Sequence, residues 1–420
     1  MGTETTDHGT ITDAALDELR SRLGKELRHL RRSAVVTDEW IERYAFAIGD
    51  QHPLWTDRTY AELSPHRSLL APPTMVYVLS GWDIGTGLPG VHGMFVRSHL
   101  EWSRPIREGD RLLSVGRLYE VTERPSRFAG RSVLQGTETV FSDAEGAAVC
   151  RARNWNLRTE RGEARRRGTV ARKEKHTYTA EDRARIERDV FRETIRGDLP
   201  RRWADTHVGE VLPAVVKGPL TVTDMVGYMR GGFGGIAHGF FMYTHGLGTA
   251  FRRRHPSAVM WTSLGIADSP EAVHWDDELA RAAGVPAAYD LGPQRIAWMA
   301  TVVTNWMGDT AFLRSLDSHL KKFVIMADTV WCRGVVTGKQ RDGERGLVTV
   351  GLEAMNQLGE LVAVAEAVVE LPGREWDAPA APFSGCSFSA WSRIVTFSSK
   401  QSGETTPDTS SRRSGSTVGT

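Results

Sequence analysis

The stretch YDLGPQRIAWMATVVTNWMGDTAFL, Tyr289 to Leu313, is almost wholly apolar and opens on a glycine. Apolar residues occupy every face from Ile296 to Val303, so the pattern predicts a helix surrounded by protein rather than one laid on a surface. Asn305 and Asp309 interrupt the run before it could span a bilayer, and its mid-chain position argues against a signal anchor. A helix buried on all sides needs a wrapper. The flanking segments have strand-like patterns, so the expectation is a sheet curled around one central helix.

Length and composition set the outer bounds. At 420 residues the prior is two or three domains, and 40% hydrophobic residues suffice for ordinary globular cores. A formal net charge of +1 argues against a general nucleic-acid binder. Cys150, Cys332 and Cys386 are too few for a disulfide scaffold and too far apart for a metal knuckle, which favours a reducing compartment. The start, MGTETTDHGT, lacks a cationic segment followed by an apolar one. A cytoplasmic protein with no membrane insertion is therefore expected.

Working outward, residues 1–33 read as a leader with a charged amphipathic helix from Ala14 to Arg32, docked or solvated. From Thr37 a capped helix runs to Gly49, followed by the turn-rich GDQHPLWTDRTYAEL and a second helix candidate in APPTMVYVLSGWDIG. Four strand patterns complete a first domain over 34–160: MFVRSHLEWSRPI, DRLLSVGRLYEVTE, GRSVLQGTETVFSD and GAAVCRARNWNL. Residues 161–207 form a charged linker that contains a basic run and a helix from about Ala180, read chiefly as solvated. Beyond Glu375 the Ser- and Thr-rich tail cannot bury a core and is expected to be disordered over 375–420.

The segment 208–374 repeats the first domain. Leu220-Thr-Val-Thr-Asp-Met-Val starts a helix as Val36-Thr-Asp-Glu-Trp does, and HWDDELARAAG echoes LWTDRTYAEL. The helix from Tyr289 takes the place of the one from Ala71. KKFVIMADTVWCRGVVTG parallels SRPIREGDRLLSVGRLY, and LVTVGLEAMNQLGELVAVAEAVVELP parallels the two strands around the DAEG turn. Two such halves can cover each other's exposed strand edges, which predicts an α+β double hot dog: two antiparallel sheets, each wrapped around a helix. A chain of this kind is already a pseudo-dimer, so a monomer or a homodimer is expected.

FAIGDQHPLWTDRTYAE with LLAPPTM resembles the N-terminal domain of MaoC-like dehydratases, and the second half resembles the MaoC hydratase domain, together spanning roughly Val36 to Pro372. The resemblance implies a hydro-lyase that interconverts a 3-hydroxyacyl and a 2-enoyl thioester carried by coenzyme A or an acyl carrier protein. Coenzyme A or phosphopantetheine would be part of the substrate, and no separate cofactor is implied. The family motif is Asp-x-Asn-Pro-x-His-x-Asp, with backbone amides at the central helix start as an oxyanion hole.

Both halves depart from that motif. In the first, Asp50 holds the acid position and His52 the Asn position, but Trp55 replaces the histidine, and an indole cannot accept a proton. The matching helix start, Pro72-Pro73-Thr74, has prolines without the N–H groups an oxyanion hole needs. This half reads as the acyl-binding, non-catalytic partner, with Asp50 and His52 as secondary candidates. In the second half His274 fits the motif histidine and is the candidate base. Ser269 stands where the family has Asp, leaving Asp268, one position off, as the candidate partner. Asp276 and Asp277 read as N-cap and dipole partners of the next helix.

The amides of Leu291 and Gly292 are the candidate oxyanion hole; Arg295, on a mostly buried helix, reads first as paired with its neighbours or with strand carbonyls, and alternatively as a contact for a substrate carboxylate or the carrier's phosphates. A rival reading places the site at Gly234-Gly235-Ile236-Ala237-His238-Gly239, which looks like the helix start of single-domain hydratases; the order of the motifs weighs against it. No zinc-spaced His/Cys pair, P-loop or dinucleotide fingerprint occurs, so neither a metal nor a redox cofactor is expected. Two other functions share the fold: a thioesterase and a non-catalytic acyl-binding or assembly subunit.

Overall fold

A computed structural model describes residues 9–80, 87–88, 90–125, 130–160, 173–232, 246–254, 259–342 and 345–372; the side chains of Arg230, Gly232, Leu247 and Phe251 are left aside. Its centre is one ten-stranded antiparallel sheet. The strands of the first half are β1 (Arg32–Val35), β2 (His92–Trp102), β3 (Arg111–Arg124), β4 (Ser132–Ser142) and β5 (Ala148–Thr159). Those of the second are β6 (Val211–Lys217), β9 (Phe312–Leu320), β10 (Val330–Asp342), β11 (Arg345–Asn356) and β12 (Leu361–Leu371), while β7 (Met260–Trp261) and β8 (Ala267–Asp268) form a separate small hairpin. The large sheet has the order β1-β3-β4-β5-β2-β9-β12-β11-β10-β6. Read outward from the centre, the two halves have the same order of connection. They meet at the pairing of β2 with β9, where Arg97 faces His319 and Glu101 faces Ser315. Each half covers the other's open edge, as the repeat predicts for a double hot dog.

The central helix of the second half runs from Gly292 to Met307, and every residue from Pro293 to Trp306 is buried. Ile296, Met299, Val302 and Val303 lie at or below 1% exposure. Each such side chain contributes about 1.5–3 kcal/mol relative to leaving it in water. The helix is shorter than the apolar run implies. It stops at Gly308, which has φ of 77°, and a Cβ there would lie 2.9 Å from the Leu199 carbonyl oxygen. The run then continues as β9, because Phe312–Leu320 pairs with strands on both sides at the seam. The first half has a smaller equivalent, a 3₁₀ turn at Pro73–Met75 followed by one helical turn at Val76–Leu79.

A pair of helices, Asp38–Ile48 and Val222–Gly232, also reflects the duplication. Thr37 caps the first through the Trp40 amide, as its sequence predicts. The pair crosses closely: a Cβ on Gly231 would fall 2.6 Å from the Arg43 carbonyl oxygen, and the Tyr44 and Tyr228 rings lie 6.4 Å apart.

Other expectations are corrected. The leader helix covers only Asp13–Arg20, since Gly24 with φ of 75° turns the chain; Leu16, Leu19, Leu27 and Leu30 then dock it on Leu118 and Val133 of the sheet. The short edge strands β1 and β6 escape a pattern reading because four to seven residues carry little periodicity. The linker helix, Ala180–Phe191, is docked as well as charged. It opens with a Thr179/Asp182 capping box, buries Ile186, and places Arg185 over the Trp331 ring. The tail and most of the basic run, residues 161–172, lie outside the described residues. Among the described residues no helix is long and apolar enough to cross a membrane.

Candidate active site

His274 ends a five-residue 3₁₀ helix, Pro270–His274, that enters from the small hairpin Met260–Trp261/Ala267–Asp268. Its ring packs 4.5 Å from that of Tyr289, just before the central helix. Nδ1 lies 2.9 Å from the Tyr289 carbonyl oxygen. A carbonyl only accepts, so Nδ1 carries the hydrogen and the neutral ring keeps its lone pair on Nε2. No hydrogen bond among the described residues reaches Nε2. Burial lowers the His274 pKa to about 4, against the Tyr289 and Asp290 carbonyls that raise it. The ring is therefore a neutral acceptor at pH 7.

The expected His274–Asp268 pair is not formed. The Asp268 carboxylate turns back on its own chain and accepts the Ser269 N–H at 2.7 Å, and no hydrogen bond or ion pair joins it to His274. A backbone carbonyl does the orienting instead. The sequence reading also passed over Glu271, three residues before His274 on a helix type in which positions i and i+3 eclipse. Its Oε2 is buried without a hydrogen-bond partner among the described residues. Asp276 behaves as an N-cap, accepting from the Glu278 and Leu279 amides.

Leu291 caps the central helix with no side-chain bond, and the Leu291 and Gly292 amides have no acceptor among the described residues. These are orphan donors at a helix N-terminus, where the dipole favours negative charge. Gly292 has a packing reason too, since a Cβ there would lie 2.9 Å from both Phe95 of β2 and Leu320 of β9. Arg295, the candidate substrate contact, is committed elsewhere. Its guanidinium grips Asp290 through Nε at 2.7 Å and through Nη2, while Nη1 donates to the carbonyls of Lys322 and Val362. This buried fork ties the helix start to the sheet and has no free face for a carboxylate or phosphate.

In the first half, Asp50 is structural. Its oxygens accept the His52 amide at 3.1 Å and the Thr301 hydroxyl at 3.0 Å, the latter from the other half's central helix. Burial pushes the carboxyl up, opposed by Lys217. His52 caps the short helix Pro53–Thr56, with Nδ1 accepting the Leu54 N–H at 3.3 Å. The hydrogen must then sit on Nε2, which leaves no lone pair for a base, and burial drops the pKa to about 3. His52 is thus corrected from candidate base to hydrogen-bond donor. Trp55 stacks on it at 4.4 Å. His238 lies outside the described residues.

A family model described as the FAS1-like dehydratase domain region matches residues 22–152. A UPF0336 protein of Parafrankia is 30% identical over 118 residues, which span 26% of this chain and 75% of that protein. A UPF0336 protein of Streptomyces coelicolor is 28% identical over 116 residues, 25% of this chain and 73% of that one. Among solved structures, a MaoC-like dehydratase superposes with a TM-score of 0.57 at 18% identity, covering 84% of this chain and 99% of that one. A conserved hypothetical protein of Mycobacterium tuberculosis, described as having a double hotdog fold, gives 0.50 at 12% identity, covering 85% and 98%. Through its first half the chain belongs to the family of these UPF0336 proteins, and its duplicated sheet has the double hot-dog fold shared with the MaoC-like dehydratase structure.

Proposed function

We propose that the second half interconverts a 3-hydroxyacyl thioester and its 2-enoyl form, the thioester being carried on coenzyme A or on the phosphopantetheine of a carrier protein. The observation that carries this reading is the tautomer of His274, whose Nδ1–H is held by the Tyr289 carbonyl so that Nε2 stays basic; the helix-start amides of Leu291 and Gly292, two and three residues after Tyr289, have no acceptor among the described residues. In the dehydration direction, Nε2 takes the proton α to the thioester. The electron pair moves onto the thioester oxygen, where the Leu291 and Gly292 amides meet the developing charge. It then returns to form the carbon–carbon double bond as the 3-hydroxyl leaves. That hydroxyl departs as water after receiving a proton, and Glu271 is the acid we assign to supply it. Hydration is the same path reversed.

The test is turnover of 2-enoyl-CoA thioesters of graded length by the full chain, followed as loss of the conjugated enoyl absorbance. His274→Ala should lower the rate by about 10²–10⁴-fold and Glu271→Gln by a similar factor. Unchanged turnover in His274→Ala would remove this site from the reaction. One observation favours a second reading, a non-catalytic acyl-binding subunit: no carboxylate is bonded to His274 where the family has its motif acid. Wild-type protein that binds an acyl thioester but turns over none of the panel would select that reading.

A further inference from the structure

A second site lies at the far end of the central helix from His274. The helix has 16 residues, so the two ends are about 24 Å apart. Here a narrow pocket, partly open to solvent, forms between the halves; Trp55, Leu70, Trp102 and Ile106 line it from the first, Met307 and Phe312 from the second. Four polar side chains interrupt this apolar wall, His52, His66, Arg104 and Asp309, and of these His52 and Asp309 face each other.

Asp309 follows the turn at Gly308 and is held rigidly. Its Oδ2 accepts the Tyr60 hydroxyl at 2.6 Å, its backbone carbonyl lies 2.8 Å from His66 Nε2, and its N–H donates to the Gly197 carbonyl. Its Oδ1 is buried with no hydrogen-bond partner among the described residues. The group facing it is His52 Nε2 at 3.7 Å, too far for a hydrogen bond. The Leu54 amide on Nδ1 makes Nε2 a donor. A fixed donor and an orphan acceptor therefore stand 3.7 Å apart, a spacing at which one oxygen atom can lie within about 2.8 Å of both. A hydroxyl is the group that accepts one hydrogen bond while donating another. A buried acceptor left without a hydrogen bond is destabilising, so the site favours a ligand that completes it.

We propose that this pocket is a binding site for a small apolar molecule bearing a hydroxyl group, an aliphatic alcohol in class, whose oxygen accepts from His52 Nε2–H and donates to Asp309 Oδ1. The acid comes from one half and the histidine from the other, so the site exists only because the halves are joined. It is independent of the thioester chemistry proposed for His274.

The test is a titration of the full chain with 1-hexanol and, in parallel, with 1-methoxypentane, which has the same heavy atoms but cannot donate. Binding is read by calorimetry or saturation-transfer NMR, with no turnover involved. The alcohol should bind roughly tenfold tighter or better. His52→Asn, which retains the helix cap, and Asp309→Asn, which retains the shape, should each abolish that preference while both probes still bind through the apolar wall. Equal affinity of the two probes for the wild type would overturn the proposal. So would failure of either to bind, which would leave water as the only occupant, or a preference that survives in both variants. The variants' enoyl turnover is measured separately, so loss of binding and loss of catalysis are read apart.

Discussion

His52 and His274 occupy comparable segments of the two halves, each on a short helix that leads toward a central helix, and both are buried. Their rings nevertheless carry the hydrogen on opposite nitrogens. His52 Nδ1 accepts a backbone N–H and His274 Nδ1 faces a backbone carbonyl, so the first is a donor through Nε2 and the second an acceptor there. The helix starts differ in the same sense: Pro72 and Pro73 offer no amide in one half, Leu291 and Gly292 offer two in the other. In this duplicated fold one hydrogen bond to the backbone thus decides whether a buried histidine presents a hydrogen or a lone pair at Nε2.

The largest effect expected from breaking this comparison is on turnover. Loss of the His274 base should cost about 10²–10⁴-fold, whereas His52→Asn should leave the enoyl reaction at the wild-type rate. A pH profile sharpens the point. With a pKa near 4, His274 stays neutral and basic at every higher pH, so the acid limb of kcat/KM should fall near 4 rather than near the ordinary histidine value of 6.5. A limb near 6.5 would mean that the ring is solvated during reaction.

Next in size is the fork at the start of the central helix. Arg295→Met strands the buried Asp290 carboxylate and should destabilise the chain by about 3–5 kcal/mol, read from denaturant unfolding. Among the described residues no ion pair stands at this point in the first half; its helix start is anchored by the neutral bond from the Tyr44 hydroxyl to the Thr74 carbonyl. Tyr44→Phe should therefore cost only about 1–2 kcal/mol. Equal costs would show that the ion pair adds nothing beyond its neutral counterpart.

Asp50 tests how the halves are joined. Thr301→Val removes the hydroxyl that reaches it across the interface and should cost about 1–3 kcal/mol, because a buried carboxylate oxygen loses its partner. In Asp50→Asn the same Thr301 change should cost less, since a neutral amide is easier to strand. Additive costs would mean that the two residues are uncoupled.

The duplication, the hot-dog pairing and the place of His274 beside the start of the buried helix were legible in the sequence, because they rest on hydrophobic period and motif spacing. What the sequence hid was set by backbone atoms. The strand Phe312–Leu320 follows the helix without a change in hydropathy, and only the left-handed turn at Gly308 separates them. The His274 partner is a carbonyl, invisible to any reading that looks for an acid, which is why Asp268 was the nearest choice. Asp309 reads as a polar break in an apolar run, since nothing local announces that Tyr60 and His66, more than 240 positions away, will hold it.

The smallest expected effect lies at the seam between the halves, where charged side chains flank the buried Leu100–Leu316 pair. Arg97 of β2 grips Asp317 of β9, and His99 Nδ1 stands 3.5 Å from the same carboxylate, with its Nε2 3.7 Å from Glu101. Burial works against the charge on His99, but Asp317 and Glu101 raise its pKa to about 9; Asp317 in turn is pulled down to about 2, its burial outweighed by His99 and Arg97. The signs follow by linkage. The contribution of His99 is complete below the unfolded value of 6.5 and is lost as pH rises through 9. That of Asp317 is complete above the unfolded value of 3.8 and is lost as pH falls through 2. Seam stability should therefore peak between about pH 4 and 6.5 and decline toward pH 9. The contacts to His99 are long for hydrogen bonds, so the decline should amount to about 1 kcal/mol. His99→Gln should flatten the change in melting temperature between pH 6.5 and 9. A slope that survives the substitution would assign it to another group and leave His99 neutral at the seam.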